Sequence, residues 1–191
     1  MIELKIITAS TRAGRKGPAV TSWITEVVKR RQEFNIELFD LAKINLPFLD
    51  EPNHPRFRQY LHQHTKEWSK SIDSADAFII VTAEYNYGVP APIKNAIDFL
   101  FHEWHYKPVA FVSYGGLVGG TRAVQMLKQI VTAVKMMPML ESVNIPFFIK
   151  YIDEQGIFHP TEEMEKSAEA MLKELLVWAN GLKAMRMSQK N

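Results

Sequence analysis

The sequence contains no cysteine, which excludes disulfide bonds, thiolate metal sites, iron–sulfur clusters and a cysteine nucleophile. Any redox chemistry must therefore come from a bound cofactor. The sequence also lacks an apolar run that approaches the roughly 20 residues needed to span a bilayer. The first ten residues, MIELKIITAS, have no signal-peptide pattern, so we expect a cytoplasmic protein with no membrane partner.

An excess of charge of one sign is absent too. The formal net charge of +2 is too small to indicate nucleic acid as the main partner, because phosphate binding at that scale needs a broad basic face. Basic residues are dense in two places only. The cluster Arg12, Arg15 and Lys16 suits one small anion, whereas the cluster at 29–31 is predicted to end a helix, where cations complement the helix dipole.

The residues that are present are typical of a folded globular protein. Hydrophobic residues make up 47% of the 191 and charged residues 23%, which is enough apolar material for a full core. We find no repeat and no linker that would divide the chain. Residues 1–191 are therefore predicted to form a single domain.

Hydrophobic periodicity predicts strands that alternate with helices. Residues 4–8, 77–82 and 109–113 are continuous apolar runs, typical of strands buried on both faces. Less uniform runs at 36–41 and 143–149, the second with Pro146 inside it, are predicted at the sheet edges. Helical stripes follow Gly17-Pro18, Pro92, Gly120-Thr121 and Thr161, and another joins Phe57, Tyr60, Leu61, His64 and Trp68. This alternation predicts a parallel sheet with helices on both faces and a ligand at the carboxyl ends of its strands.

The loop after the first predicted strand has the features of an anion site. Residues 9–18 combine hydroxyl groups, guanidinium groups and a helix N-terminus, so they suit a phosphate monoester. The loop matches neither the G-x-G-x-x-G pattern nor the P-loop pattern. Tight dinucleotide binding and nucleoside triphosphate hydrolysis are therefore both disfavoured. The alternative is an ordinary polar turn with solvated basic side chains.

The loops after the third and fourth strands suit a flat ring. Residues 83–92 offer aromatic faces and an exposed amide, and residues 114–120 offer glycine backbone that a planar heterocycle can approach closely. Each loop alone is also compatible with plain turn chemistry. All three together indicate one ligand with a phosphate end and a ring end.

Three segments resemble the NAD(P)H-dependent FMN reductases, also described as flavodoxin-like quinone reductases. They are STRAGRKGPAV after the first strand, EYNYGVPAPIKNAIDFL after the third and SYGG at the end of the fourth. The resemblance covers roughly residues 4–150 on the element order of the fold. Ala9 and Ala83 depart from it, because the family commonly has glycine and proline there.

The resemblance implies an α/β, flavodoxin-like three-layer sandwich with a five-stranded parallel sheet of order 2-1-3-4-5. It also implies FMN as cofactor, NADPH or NADH as hydride donor, and a homodimer or homotetramer in which Tyr85, Tyr87 and Trp104 could lie partly at the subunit contact. The chemistry would belong to flavin N5, so no side chain is predicted to be catalytic. The implied FMN-binding residues are Ser10, Arg12, Arg15, Gly17, Pro18 and Val20, then Glu84, Tyr85, Asn86 and Tyr87, then Ser113, Tyr114, Gly115 and Gly116.

The resulting functional hypothesis is hydride transfer from NAD(P)H through FMN to a small acceptor by a ping-pong mechanism. The acceptor would be a quinone, a free flavin, an azo compound or a metal oxyanion. Two alternatives stay open: a flavodoxin-type electron carrier without NAD(P)H activity, and a flavin-sensing binding module. The sequence pI of about 8.7 argues against a carrier, since carriers that dock on basic partners are acidic. Arg12 and Arg122 are candidates for an NADPH preference.

Other patterns are weaker. His102 and His105 lack the H-E-x-x-H spacing, so a metal site is disfavoured there and none is predicted elsewhere. His62 and His64 are expected on different faces of a helix. Asp40, Asp50 and Glu51 could form an acidic rim. Met136, Met137 and Met139, before the fifth strand, are expected to fill the core or an interface and not to bind a metal.

Overall fold

The computed structural model describes residues 1–188, and its five strands form one parallel sheet in the order β2-β1-β3-β4-β5. This is the flavodoxin-like strand order, so the predicted fold class is confirmed. The strands are β1 (Ile2–Thr8), β2 (Phe34–Asp40), β3 (Ala77–Ala83), β4 (Pro108–Tyr114) and β5 (Met137–Ile145).

Within the described residues 1–188, six α-helices connect or follow the strands. They are α1 (Gly17–Lys29), α2 (Leu41–Ile44), α3 (Gln63–Asp73), α4 (Ala91–Asp98), α5 (Thr121–Ala133) and α6 (Glu162–Ser188). Pro18 lies in the first turn of α1, where its missing N–H costs nothing, and Lys29 in the last turn, as predicted. No helix within residues 1–188 is long and apolar enough to cross a membrane.

Two apolar layers hold the helices against the sheet. On one face α1 and α6 pack on the strands, with Ile24 and Leu172 among the fully buried side chains. On the other face α3, α4 and α5 pack around Trp68, Ile97 and Leu127. The interior strands β3 and β4 are buried at every residue, which explains why their sequences are continuous apolar runs without alternation.

The fifth strand lies earlier than predicted. It spans Met137–Ile145, so Pro146 follows the strand instead of interrupting it, and Phe147 has a φ of 48° that turns the chain away from the sheet. Met137 and Met139 are consequently strand residues. The run at 143–149 misled the prediction because Phe148 and Ile149 have strand-like side chains but belong to a short 3₁₀ helix.

The helix predicted through Phe57, Tyr60, Leu61, His64 and Trp68 is confirmed only in its second half. A single 3₁₀ turn ends at Phe57, Arg58 adopts a φ of 51°, and α3 begins only at Gln63. The Glu51 carboxylate accepts hydrogen bonds from the backbone N–H groups of Leu61 and His62. These two bonds hold Leu61 and His62 outside the helix, which the apolar spacing alone does not reveal.

Candidate functional site

Three loops meet at one edge of the sheet, because parallel strands place all their carboxyl ends together. The first loop (9–16) joins β1 to α1, the second loop (84–90) joins β3 to α4, and the third loop (115–120) joins β4 to α5. Strands β1, β3 and β4 are neighbours in the sheet, so the three loops are adjacent as well. This edge is where ligands bind in open parallel sheets.

A buried polar contact ties the first loop to β4. Ser10 is fully buried and its Oγ accepts a hydrogen bond of 3.0 Å from the Tyr114 hydroxyl. Burial raises the pKa of Tyr114 to about 12, so the phenol remains a donor at all physiological pH values. A Cβ on Gly17 would lie 2.5 Å from Ser10 Oγ and 2.8 Å from the Tyr114 hydroxyl oxygen, and only glycine fits there.

The outer rim of the first loop is open to an anion. Thr11 and Arg12 are exposed, and the only hydrogen bond recorded for the Arg12 guanidinium within residues 1–188 goes to the Ala13 carbonyl. Lys16 is the N-cap residue of α1. Within residues 1–188, no side-chain hydrogen bond caps the N-terminus of this helix. Pro18 has no N–H and the Ala19 N–H donates to the Lys16 carbonyl at 3.1 Å, so it is mainly the positive end of the α1 dipole that is available to a phosphate.

Arg15 points elsewhere. Its two terminal nitrogens contact the two Asp40 oxygens at 2.5 and 2.6 Å, and Nη1 also donates to the Ser10 carbonyl at 2.6 Å. The hydrogen bond from Arg15 holds the pKa of Asp40 below its usual value, and the same bond raises the pKa of Arg15. The pair is charged throughout the neutral range.

The second loop is a tight hairpin that displays two aromatic rings. The backbone of Tyr85 and Gly88 exchanges two hydrogen bonds, of 3.0 and 2.9 Å. The two residues between them, Asn86 and Tyr87, have φ values of 49° and 70°, as two-residue hairpin turns with positive φ at both centres require. Tyr85 is 36% and Tyr87 71% exposed, so both rings are open to a ligand.

Glu84 joins the second loop to the start of α5. Its carboxylate accepts hydrogen bonds from the Arg122 backbone N–H at 3.1 Å and from Arg122 Nε at 2.7 Å. The Arg122 guanidinium carbon lies 3.7 Å from the centre of the Tyr87 ring, a cation–π contact. The loop and the helix N-terminus are thus held together by charge, and the rest of the guanidinium is partly exposed.

The third loop has exposed glycine backbone at Gly116, and the buried Ser113 side chain supports it from beneath. Ser113 is fully buried and its hydroxyl contacts the Gly119 carbonyl at 2.7 Å and Asn144 Oδ1 at 2.9 Å. A Cβ on Gly120, where φ is 85°, would lie 2.9 Å from Ser113 Cβ. Gly116 is exposed, and a Cβ there would meet nothing within 4 Å. A planar ring can therefore approach the backbone at Gly116.

The sequence-predicted binding residues all lie on or directly beneath this edge, but at different depths. Six are buried and support the loops from below: Ser10, Gly17, Val20, Ser113, Tyr114 and Gly115. Six are exposed: Arg12, Pro18, Tyr85, Asn86, Tyr87 and Gly116. Arg15 and Glu84 are half-buried, and each is bound to a partner of opposite charge. As FMN contacts, all fourteen remain predictions.

Two residues at this edge of the sheet, Asp40 and Arg122, are absent from the predicted FMN contacts. Asp40 was expected only in an acidic rim, and Arg122 only as a contact for NADPH. A signal for Asp40 existed, because the last residue of β2 must lie beside the end of β1 in the predicted strand order. The bond between Arg122 and Glu84 depends on side-chain conformations, which the sequence pattern does not specify.

The other candidates are structural. Trp104 is fully buried against Trp68 and Phe78, so the prediction that it could lie at a subunit contact is wrong. His62 precedes α3, and its ring stacks on that of His64 at 5.2 Å instead of facing away from it. Within residues 1–188, no group of three or more His, Cys, Asp or Glu side chains could hold a metal ion.

Residues 2–150 of the chain match the family model described as NADPH-dependent FMN reductase. The chain belongs to this family. An NAD(P)H-dependent FMN reductase of Schizosaccharomyces pombe is 39% identical over 168 residues, which cover 86% of this chain and 82% of that protein. A quinone reductase of Escherichia coli K12 is 41% identical over 101 residues, about half of each chain.

A solved relative supports the fold of this FMN reductase family member. FerB from Paracoccus denitrificans, described as a flavoenzyme NAD(P)H:(acceptor) oxidoreductase, superposes with a TM-score of 0.73 at 20% identity and covers 95% of this chain and 98% of its own. At this identity the likeness concerns the fold alone. The predictions of an oxidoreductase family, of FMN and of NAD(P)H are confirmed at the level of the family.

Proposed function

We propose that this protein transfers a hydride from NAD(P)H through bound FMN to a small acceptor such as a quinone. One observation carries the proposal: three adjacent loops leave an uncapped helix N-terminus at one end of the sheet edge and bare glycine backbone beside exposed aromatic rings at the other. A phosphate suits the first end and a flat heterocycle the second.

The residues present fit FMN at both ends. Arg12 and the N-terminus of α1 would hold the phosphate, since both are exposed and positive. Tyr85 and Tyr87 would line one side of the ring, and the backbone at Gly116 would lie beside its pyrimidine edge. Ser10, Gly17, Val20, Ser113 and Tyr114 would act from beneath, by fixing the loops that make these contacts.

Bound FMN would supply the redox chemistry, by accepting a hydride from the nicotinamide and passing electrons on. The protein's part is to bind and orient. Backbone N–H groups at the exposed third loop would stabilise negative charge at the pyrimidine edge, as donors fixed before reaction do elsewhere. The open face beside Tyr87 would take nicotinamide and acceptor in turn, which gives ping-pong kinetics.

The donor preference is proposed to favour NADPH. Within residues 1–188 the Arg122 guanidinium bonds Glu84 through Nε and not through its terminal nitrogens, which would therefore meet a second phosphate at the mouth of the site. The exposed Arg12 of the first loop adds positive charge to the same edge of the sheet. The predicted homodimer or homotetramer and the cytoplasmic location stay predictions.

Anaerobic reduction tests the proposal. The purified protein is reconstituted with FMN, and the flavin absorbance is followed in a stopped-flow instrument after NADPH is added, with a quinone in a second mixing step. We expect NADPH alone to bleach the flavin and the quinone to restore it. Failure of NADPH to bleach tightly bound FMN would instead indicate an electron carrier or a flavin-sensing module, and failure to bind FMN would reject the cofactor.

A further inference from the structure

Arg15 lies in the loop proposed to bind the FMN phosphate, yet its guanidinium is committed to the protein. It makes a two-fold contact with the Asp40 carboxylate and a third contact with the Ser10 carbonyl, all between 2.5 and 2.6 Å. The side chains of Arg15 and Asp40 are only 17% and 20% exposed. Bidentate pairs of this kind are among the strongest and most directional in proteins.

Asp40 is itself anchored. It is the last residue of β2 and caps α2, because its Oδ1 accepts a hydrogen bond of 3.1 Å from the Ala42 N–H. The backbone N–H of Arg15 also donates to the Arg12 carbonyl at 3.1 Å, which closes the turn that carries the exposed Arg12. Asp40 therefore connects the exposed first loop to the end of strand β2.

We propose that the Arg15–Asp40 pair is a latch that fixes the first loop in the shape that binds a phosphate monoester, and that Arg15 is a positioning residue which does not itself touch the phosphate. The inference rests on the proposed function and assigns the direct contact to Arg12 and the N-terminus of α1. It differs from the reading of the loop sequence, in which both arginines surround the phosphate.

Asp40→Asn distinguishes the latch from a direct contact between Arg15 and the phosphate, because the two roles predict opposite changes in FMN affinity. If Arg15 bound the phosphate, removing the competing carboxylate would free its guanidinium and delete a nearby negative charge, so FMN would bind as tightly or more tightly. If Arg15 acts through Asp40, the same substitution releases the loop and FMN binds more weakly. The sign of the change therefore decides between the two.

The first measurement is the Kd of apoprotein for FMN, from quenching of flavin fluorescence, in wild type and in Asp40→Asn, Arg15→Ala and the double variant. We expect each single substitution to weaken binding about tenfold, and the double variant to be no weaker than the weaker single one, because both break one unit. Asp98→Asn, which removes a carboxylate from the exposed Lys94 pair, is the matched control and should leave Kd unchanged. Unchanged or tighter binding by Asp40→Asn overturns the latch.

The second measurement does not involve flavin. Amide hydrogen exchange of residues 10–16 in the apoprotein should become at least several-fold faster in Asp40→Asn and in Arg15→Lys, which keeps the charge but cannot form the two-fold contact. Equal exchange in wild type and both variants would contradict the latch. A wild type that does not bind FMN would reject the proposed function, while the exchange result would still decide on the latch.

Discussion

The two ends of the sheet use buried charge in different ways. At the amino end Asp76, nine-tenths buried, binds Lys183 and Arg186 of α6 at 2.6 and 2.7 Å and accepts the Glu3 N–H. Lys107 is 4% exposed there and donates to the carbonyls of Ile72 and Asp73 at the end of α3, both at 2.8 Å. These contacts fasten two helices to the sheet.

At the carboxyl end the ion pairs link loops instead. Arg15 with Asp40 fixes the first loop, and Glu84 with Arg122 fixes the second, while the backbone between them stays open. Charge at the amino end therefore stabilises the fold, whereas charge at the carboxyl end shapes a surface. Substitutions at the amino end should thus lower stability without a specific effect on flavin, and those at the carboxyl end should alter binding.

The largest expected effect is at the amino end. Asp76→Ala leaves two partly buried cations without their shared carboxylate, so the free energy of unfolding should fall by about 3 kcal/mol. Urea denaturation measures the loss, and Asp98→Ala is the control, with a change within about 0.5 kcal/mol. A tenfold loss of FMN affinity by folded Asp76→Ala would break the comparison.

Two glycines at the carboxyl end, Gly17 and Gly116, allow a second test of this difference between the two ends of the sheet. Gly17→Ala forces a Cβ to within 2.5 Å of Ser10 Oγ, and overpacking of this kind should cost about 2 kcal/mol and weaken FMN binding, because the first loop must shift. Gly116→Ala meets nothing within 4 Å, so its stability should stay within about 0.5 kcal/mol of wild type. Calorimetry and flavin titration check both. Equal stability of the two variants would show that the Ser10–Tyr114 contact tolerates a shift.

The pH dependence of stability tests the buried lysine. Burial lowers the pKa of Lys107 to about 7, below the 10.5 of the unfolded chain, so between these values the unfolded state binds more protons and stability rises with pH. The stability of wild type relative to Lys107→Met should therefore increase by about 2 kcal/mol from pH 7 to pH 9. Urea denaturation at each pH measures it. Lys166→Met, an exposed control, should show no such trend, and a flat difference for Lys107 would mean that the ammonium stays fully charged.

The smallest expected effect concerns the choice of donor. Arg122→Ala should lower kcat/KM for NADPH about fivefold more than for NADH, a difference equivalent to about 1 kcal/mol, because only NADPH carries the extra phosphate, whereas the lost contact with Glu84 affects both donors alike. Lys128→Ala removes a positive charge from the same helix farther from its N-terminus and serves as control. An equal loss with both donors would show that Arg122 acts only by holding Glu84 and the second loop.

Much of the fold follows from the sequence because the interior strands are buried on both faces. Val109, Ala110 and Phe111 lie in an uninterrupted apolar run, and only a central parallel strand requires one. The edge strand β5 mixes buried, half-buried and exposed residues without a regular period, and Pro146 lies next to it, so the sequence pattern does not define its limits. The start of α3 depends on Glu51, whose distant carboxylate competes with the apolar spacing of Tyr60 and Leu61.

The positions of the site loops could be predicted, because strand order and glycine content are properties of the sequence. The roles within the loops could not. Arg12 and Arg15 are both arginines and lie three positions apart in the sequence. Arg12 is exposed, whereas Arg15 is held by Asp40, which is 25 positions away. Such pairing is decided by the neighbouring strand end, which the local pattern of a loop does not contain.

The central claim is that the open carboxyl end holds FMN in a position to accept a hydride from NADPH. Its most direct test is anaerobic mixing of the FMN-reconstituted protein with NADPH, with flavin absorbance as the signal. We expect a rapid loss of the oxidised flavin band before any acceptor is added. Persistent oxidised flavin at saturating NADPH, or a protein that retains no FMN, would contradict it.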